Sequence, residues 1–103
     1  MVIVQGTFRV AAADRDAFVA QSLPGMVASR AERGCVEYVM AADPVEPDRV
    51  VLSERWGSIE DLEEHLQRAG QRRSADDEPA AAPVTVLSRE IAIYEVGSVR
   101  PLG

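Results

Sequence analysis

Proton transfer and nucleophilic attack have few vehicles in this chain of 103 residues: His65, a scatter of carboxylates, Tyr38, Tyr94, Cys35 and hydroxyls. All 11 strongly basic residues are arginine. That excludes Schiff-base chemistry, a lysine general base and a Walker-type phosphate lysine. Cys35 is the only cysteine, so neither an intramolecular disulfide nor a cysteine-rich metal cluster can form. Its thiol reads either as a reactive group or as a small buried apolar side chain.

His65 lies at the edge of a helical stripe of Ile59, Leu62, Leu66 and Ala69, from which an imidazole can reach into a pocket as acid or base. The plainer reading is a core-edge histidine bonded to Glu54 or to backbone. Glu54 shares a strand face with Val50, Leu52 and Trp56, and a carboxylate among apolar neighbours needs a partner. That partner is either His65, which Glu54 would orient, or an arginine across a subunit interface. Trp56 and Tyr38 are either walls that stack on an aromatic ligand or core. Phe8 and Tyr94, on strands expected side by side at the sheet centre, leave the same two readings. Arg72 and Arg73 either meet an anionic ligand or sit solvated near a helix C-terminus. Asp76, Asp77 and Glu78 lack a recognisable ligand pattern, so no metal is expected.

These residues need a scaffold, and the length allows one domain over 1–103. An apolar fraction of 47% with 27% charged residues indicates a globular chain. The net charge of −6 repels phosphate backbones, which disfavours a nucleic-acid partner. No stretch approaches the roughly 18 apolar residues of a membrane span. Met1–Gly6 lacks the basic start and apolar core of a signal peptide, so a cytoplasmic location is expected.

Periodicity predicts strands over 2–10, 35–41, 49–56 and 84–96, and helices over about 15–33 and 59–70. Asp14 is the expected N-cap of the first helix and Gly34 its C-cap. Phe18, Val19, Leu23, Met26 and Val27 form its apolar face, and Pro24 predicts a kink or a restart capped by Ser22. Ser58 caps the second helix. Residues 70–83 read as a loop, either a lid or slack. The order βαββαβ is the split plan of ferredoxin-like α+β folds, with a four-stranded antiparallel sheet. Two helices cover one sheet face, yet the last strand is apolar on both parities, so a second copy is expected on the other face. Burying ~500 Å² of apolar surface there contributes on the order of 12 kcal/mol gross, comparable to the cost of association.

Three segments on these elements resemble the antibiotic biosynthesis monooxygenase family. They are Glu32-Arg33-Gly34-Cys35-Val36-Glu37-Tyr38, Asp43-Pro44 through Val51-Leu52-Ser53-Glu54-Arg55-Trp56, and Ile59-Glu60-Asp61-Leu62-Glu63-Glu64-His65-Leu66. Their order gives the family's Gly-Cys-x-x-Tyr, Glu-x-Trp and His-Leu landmarks. The resemblance implies a dimeric α+β barrel with a pocket between sheet and helices. It also implies cofactor-independent oxygenation of a small aromatic, either a polycyclic phenol or a hydroquinone. His65 would then be the catalytic base, with Trp56, Tyr38, Phe8, Glu54 and Tyr94 at the substrate. Leu52 and Leu62 stand where better-known polyketide-oxidising members carry Asn and Tyr. Haem-degrading relatives use a second-helix Trp and a later haem-ligating histidine; here His65 takes the first place and nothing takes the second, so no haem is expected. The competing readings are a non-catalytic dimeric small-molecule-binding protein and a non-oxidative cyclase or isomerase of the same fold.

Overall fold

Alternation along the first strand places Val2, Val4, Gly6 and Phe8 on one face, and that face carries the core. The computed structural model describes residues 1–75, with side chains as far as Gln71, and residues 83–103. Its elements are β1 (Val2–Arg9), α1 (Arg15–Arg30), β2 (Cys35–Ala42), β3 (Arg49–Trp56), α2 (Ile59–Ala75) and β4 (Ser88–Glu95), with a short 3-10 turn before α1. All strand pairs are antiparallel in the order β2-β3-β1-β4. This is the expected ferredoxin-like sheet with two helices. Among the described residues no helix is long and apolar enough to cross a membrane.

Registers fix which side chains share a face, because opposed residues in a ladder point the same way. Val2, Val4, Gly6 and Phe8 oppose Trp56, Glu54, Leu52 and Val50 in β3. The core built there contains Val2, Val4, Leu52, Trp56 and Leu62, with Tyr38, Met40, Phe8, Cys35 and Ile59 packed against it. Ile3, Gln5 and Thr7 oppose Tyr94, Ala92 and Glu90 on the other face.

Several expectations shift. β4 is an edge strand beside β1, so Phe8 and Tyr94 are not a pair at the sheet centre; β1 and β3 hold that place. β4 begins only at Ser88, though the Leu87 amide still donates to the Arg9 carbonyl. α1 stops at Arg30 and passes through Pro24 without a restart. Ser22 is no cap: its hydroxyl donates to the Phe18 carbonyl one turn back. The Asp14 side chain makes no capping bond. Leu23 and Val27 are exposed, because the inward stripe of α1 runs through Phe18, Ser22, Met26 and Ser29 instead, and Leu66 is exposed on α2, where Leu62 and His65 are the buried positions. α2 runs five residues beyond the expected 70. The lid reading of 76–82, the acidic run Asp76–Glu78 and the side chains of Arg72 and Arg73 lie outside the described residues.

Two junctions hold the elements in register. Between β2 and β3, the Val45 amide and the Arg49 guanidinium both donate to Asp43, which holds its carboxyl below the usual range. Between α1 and β2, Gly34 adopts φ 79° and its carbonyl accepts from the Gly57 amide at 2.8 Å. A Cβ on Gly34 would also overlap the Asp61 carboxylate. At the start of α2, Ser58 caps as expected, its hydroxyl accepting from the Asp61 amide at 3.1 Å.

Gly34→Ala therefore combines left-handed strain with a clash and should cost about 1–3 kcal/mol in urea denaturation. Gly70→Ala, in the interior of α2 with open space around its Cα, should instead stabilise by about 0.5–1 kcal/mol.

Candidate active site

Four elements converge beneath α2. β3 turns Glu54 and Trp56 toward the helices, β2 supplies Tyr38, the turn after α1 supplies Glu32, and α2 lowers His65 between them. Glu32 Oε2 lies 2.7 Å from His65 Nδ1, and the side chains of the pair are only 8% and 5% exposed. On the other side of the ring, Glu54 Oε1 lies 4.0 Å from Nε2, beyond a hydrogen bond, and accepts from the Trp56 indole N–H at 3.0 Å. The Trp56 ring lies beneath the imidazole at 4.6 Å between centroids, tilted by 32°, and Tyr38 flanks it at 5.5 Å.

Burial pushes the Glu54 carboxyl up from its ordinary value, and the charge of Glu32 adds to that. The indole hydrogen bond and His65 pull the other way without cancelling it. Burial also raises the Cys35 thiol, as do the charges of Glu32 and Glu54, which makes Cys35 a poor nucleophile.

His65 forms part of the wall of a cavity of about 650 Å³ between the two helices, within the range of small-molecule sites. Phe18, Gln21, Ser22, Gly25 and Ser29 of α1 line it, with Tyr38 and Met40 of β2, Ala69 of α2, and Pro83 and Val84 before β4. The described lining carries neither a carboxylate nor a guanidinium. Its polar points are the imidazole, Tyr38, Gln21, Ser22 and Ser29. The Ser29 hydroxyl is buried without a hydrogen-bond partner among the described residues.

Of the residues singled out from sequence, His65 and Tyr38 meet at the cavity and Glu54 stands behind the imidazole. Trp56 is fully buried and supports His65 from below rather than forming the wall. Phe8 sits one layer back, edge-on to the lining residue Phe18 at 5.5 Å. Tyr94 is on the opposite sheet face, because its register partner is Ile3 and not Val2 or Val4. Glu32 and Ser29 carried no role in the sequence reading. Glu32 follows three polar or small residues in a turn, and the one sequence signal for it is the need of a buried histidine for an acceptor.

A comparison with known families settles where this arrangement belongs. The family model for antibiotic biosynthesis monooxygenases matches residues 1–76, which carry every side chain of the imidazole cluster. The chain belongs to the antibiotic biosynthesis monooxygenase family. Among solved structures, a candidate antibiotic biosynthesis monooxygenase from Deinococcus radiodurans superposes with a TM-score of 0.80 at 24% identity, covering 100% of this chain and 99% of its own. One from Chloroflexus aurantiacus gives a TM-score of 0.62 at 25% identity, with 95% and 96% covered. A haem degrader from Mycobacterium tuberculosis, with two haems bound in its active site, gives 0.71 at 16% identity over 98% and 100%. No protein of curated function matches the sequence.

Within this member of the monooxygenase family, the raised Glu54 carboxyl has a sign that can be tested. Below the ordinary glutamate value of 4.5 both folded and unfolded chains hold the proton and nothing is lost. As pH rises past that value the unfolded chain releases its proton first, so stability falls until the folded carboxyl ionises as well. Glu54→Gln removes that penalty. The variant should have the higher urea midpoint at pH 7, and the difference should shrink as pH drops below the ordinary glutamate value.

Proposed function

We propose that this protein is a homodimeric, cofactor-independent monooxygenase acting on a small aromatic, a polycyclic phenol or a hydroquinone. The observation that carries the reading is a buried imidazole on the wall of a ligand-sized cavity, held through Nδ1 by a carboxylate. In such chemistry the substrate supplies all the electrons. His65 takes the phenolic proton, and the resulting anion is electron-rich enough to reduce O₂. One oxygen atom enters a ring carbon and the other leaves as water: in an anthrone-type phenol a ring CH₂ becomes C=O, and in a hydroquinone a ring C–H becomes C–OH while the ring is oxidised to the quinone. The protein contributes orientation, a dry apolar wall and a proton acceptor.

The cavity lining suits an uncharged ring system. Phe18, Met40 and Tyr38 offer apolar contact. Tyr38 and Ser29 offer hydroxyls to ligand oxygens, and Ser22, whose hydrogen goes to the Phe18 carbonyl, offers an acceptor. Haem fits the donor set poorly, since the one histidine already holds Glu32 and the described lining has no arginine for a propionate. The competing reading is a dimeric binding protein that uses the same cavity without chemistry, and Leu52 and Leu62 in place of the Asn and Tyr of better-known members favour it.

The dimer is proposed from the sheet. All residues of β4 are exposed, among them Tyr94, Ile93 and Ile91. A second copy packed on the face of Ile3 and Tyr94 would cover part of this surface, so Tyr94 is assigned to the subunit contact and not to the substrate.

Oxygen uptake by metal-free protein, offered anthrone-like phenols and reduced quinones, tests the reaction. His65→Ala should lower uptake on the order of 100-fold or more. Uptake that survives the substitution removes His65 from the mechanism, and no uptake with any substrate moves the assignment to the binding protein. Light scattering at micromolar concentration should give the mass of two chains, and Tyr94→Glu should shift it toward one.

A further inference from the structure

The cluster around His65 contains more than a base. We infer that Glu32 is the positioning residue of this site, fixing His65 as the Nδ1–H tautomer so that Nε2 is presented as the proton acceptor. The inference deepens the reading of His65 as the base, and its test does not depend on turnover.

The geometry that supports it is the 2.7 Å contact between Glu32 Oε2 and His65 Nδ1, short enough for a charge-assisted hydrogen bond. A carboxylate is an acceptor only, so the nitrogen it meets must carry the hydrogen. The other nitrogen cannot be committed in the same way. Glu54 Oε1 stands 4.0 Å from Nε2 and already accepts the Trp56 indole N–H. Nε2 therefore makes no hydrogen bond among the described residues, and its lone pair stays uncommitted. When a ligand O–H is transferred, the O–H bond breaks and an N–H bond forms at Nε2. The imidazolium that results faces the carboxylate of Glu32 across the ring, which stabilises it in a site removed from water.

The surroundings leave few rival partners. The titratable groups packed around the imidazole are Glu32 from the turn, Glu54 from β3, and Tyr38 and Cys35 from β2. Among the described residues only Glu32 is within hydrogen-bond distance of a ring nitrogen. The backbone around Glu32 is built to hold it: its amide donates to the Ser29 carbonyl at 3.0 Å, and its carbonyl accepts from the Cys35 amide at 3.2 Å. Gly34, two residues on, completes the turn in the left-handed region.

His65 is the single histidine, so its ring nitrogens give an unambiguous ¹⁵N NMR signal. The wild-type protein should show the neutral ring protonated at Nδ1 and bare at Nε2. In Glu32→Gln the amide oxygen still accepts from Nδ1–H, so the tautomer should persist. In Glu32→Leu the acceptor is gone, so the neutral ring should lose its preference for Nδ1–H. Glu32→Asp, which keeps a carboxylate acceptor, should retain more of that preference than the Leu variant does. A wild-type ring protonated at Nε2 overturns the inference whether or not any variant folds. So does an unchanged Nδ1–H preference in a Glu32→Leu variant with native near-UV circular dichroism. With an oxidised substrate in hand, Glu32→Gln should lower kcat on the order of tenfold or more with little change in KM. If the NMR result holds and wild type consumes no oxygen, Glu32 keeps its role and the monooxygenase reading fails.

Discussion

Removing a carboxylate from water is costly, and this small fold buries two, with one imidazole between them. An isolated buried carboxylate is either neutralised or paired. Here both solutions operate side by side. Glu32 is paired with His65 at 2.7 Å, and Glu54, 4.0 Å from the far side of the ring and beyond a hydrogen bond to it, has its carboxyl pushed toward the protonated form by burial. The geometry of the neighbouring elements follows from bringing these groups together. β3 must keep strict alternation through Leu52, Glu54 and Trp56. α2 must start at Ser58 for His65, two turns later, to reach the ring of Trp56. The turn after α1 must fold back sharply, which places Gly34 at φ 79° against Asp61.

The same arrangement opens the cavity. α1 presents Ser22, Gly25 and Ser29 where an amphipathic helix would present leucines, and α2 presents His65 and Ala69. Small residues on α1 and β2's Met40 and Tyr38 leave space between the helices rather than closing it. Pro24 lines the same space, and the Ser22 hydroxyl donates to the Phe18 carbonyl one turn back along the helix. A packed interior of this size would otherwise exclude a ligand. The space lies beside the chain's single histidine.

The topology and β3 were legible from alternation and caps, because each strand of the core has one face that must be buried. Glu54 was legible as a carboxylate needing a partner, since its strand position left no route to solvent. The rest depended on non-local placement. Leu23, Val27 and Leu66 fit a helical wheel but not the actual neighbours, because hydrophobicity marks a stripe without saying which side of it meets the sheet. Tyr94 was misplaced because the last strand is apolar on both parities and gives no phase. Glu32 was invisible for a different reason. A glutamate in a turn reads as solvated, and only a histidine 33 positions later in the chain brings it inside.

The central claim is that the cavity accepts a proton from a phenol through His65. The most direct measurement is anaerobic absorption spectroscopy of a bound, redox-inert phenol at neutral pH, in wild type and His65→Ala. The account predicts the phenolate band on binding to wild type and the neutral phenol spectrum in the variant. A phenol that binds wild-type protein and stays neutral would contradict it.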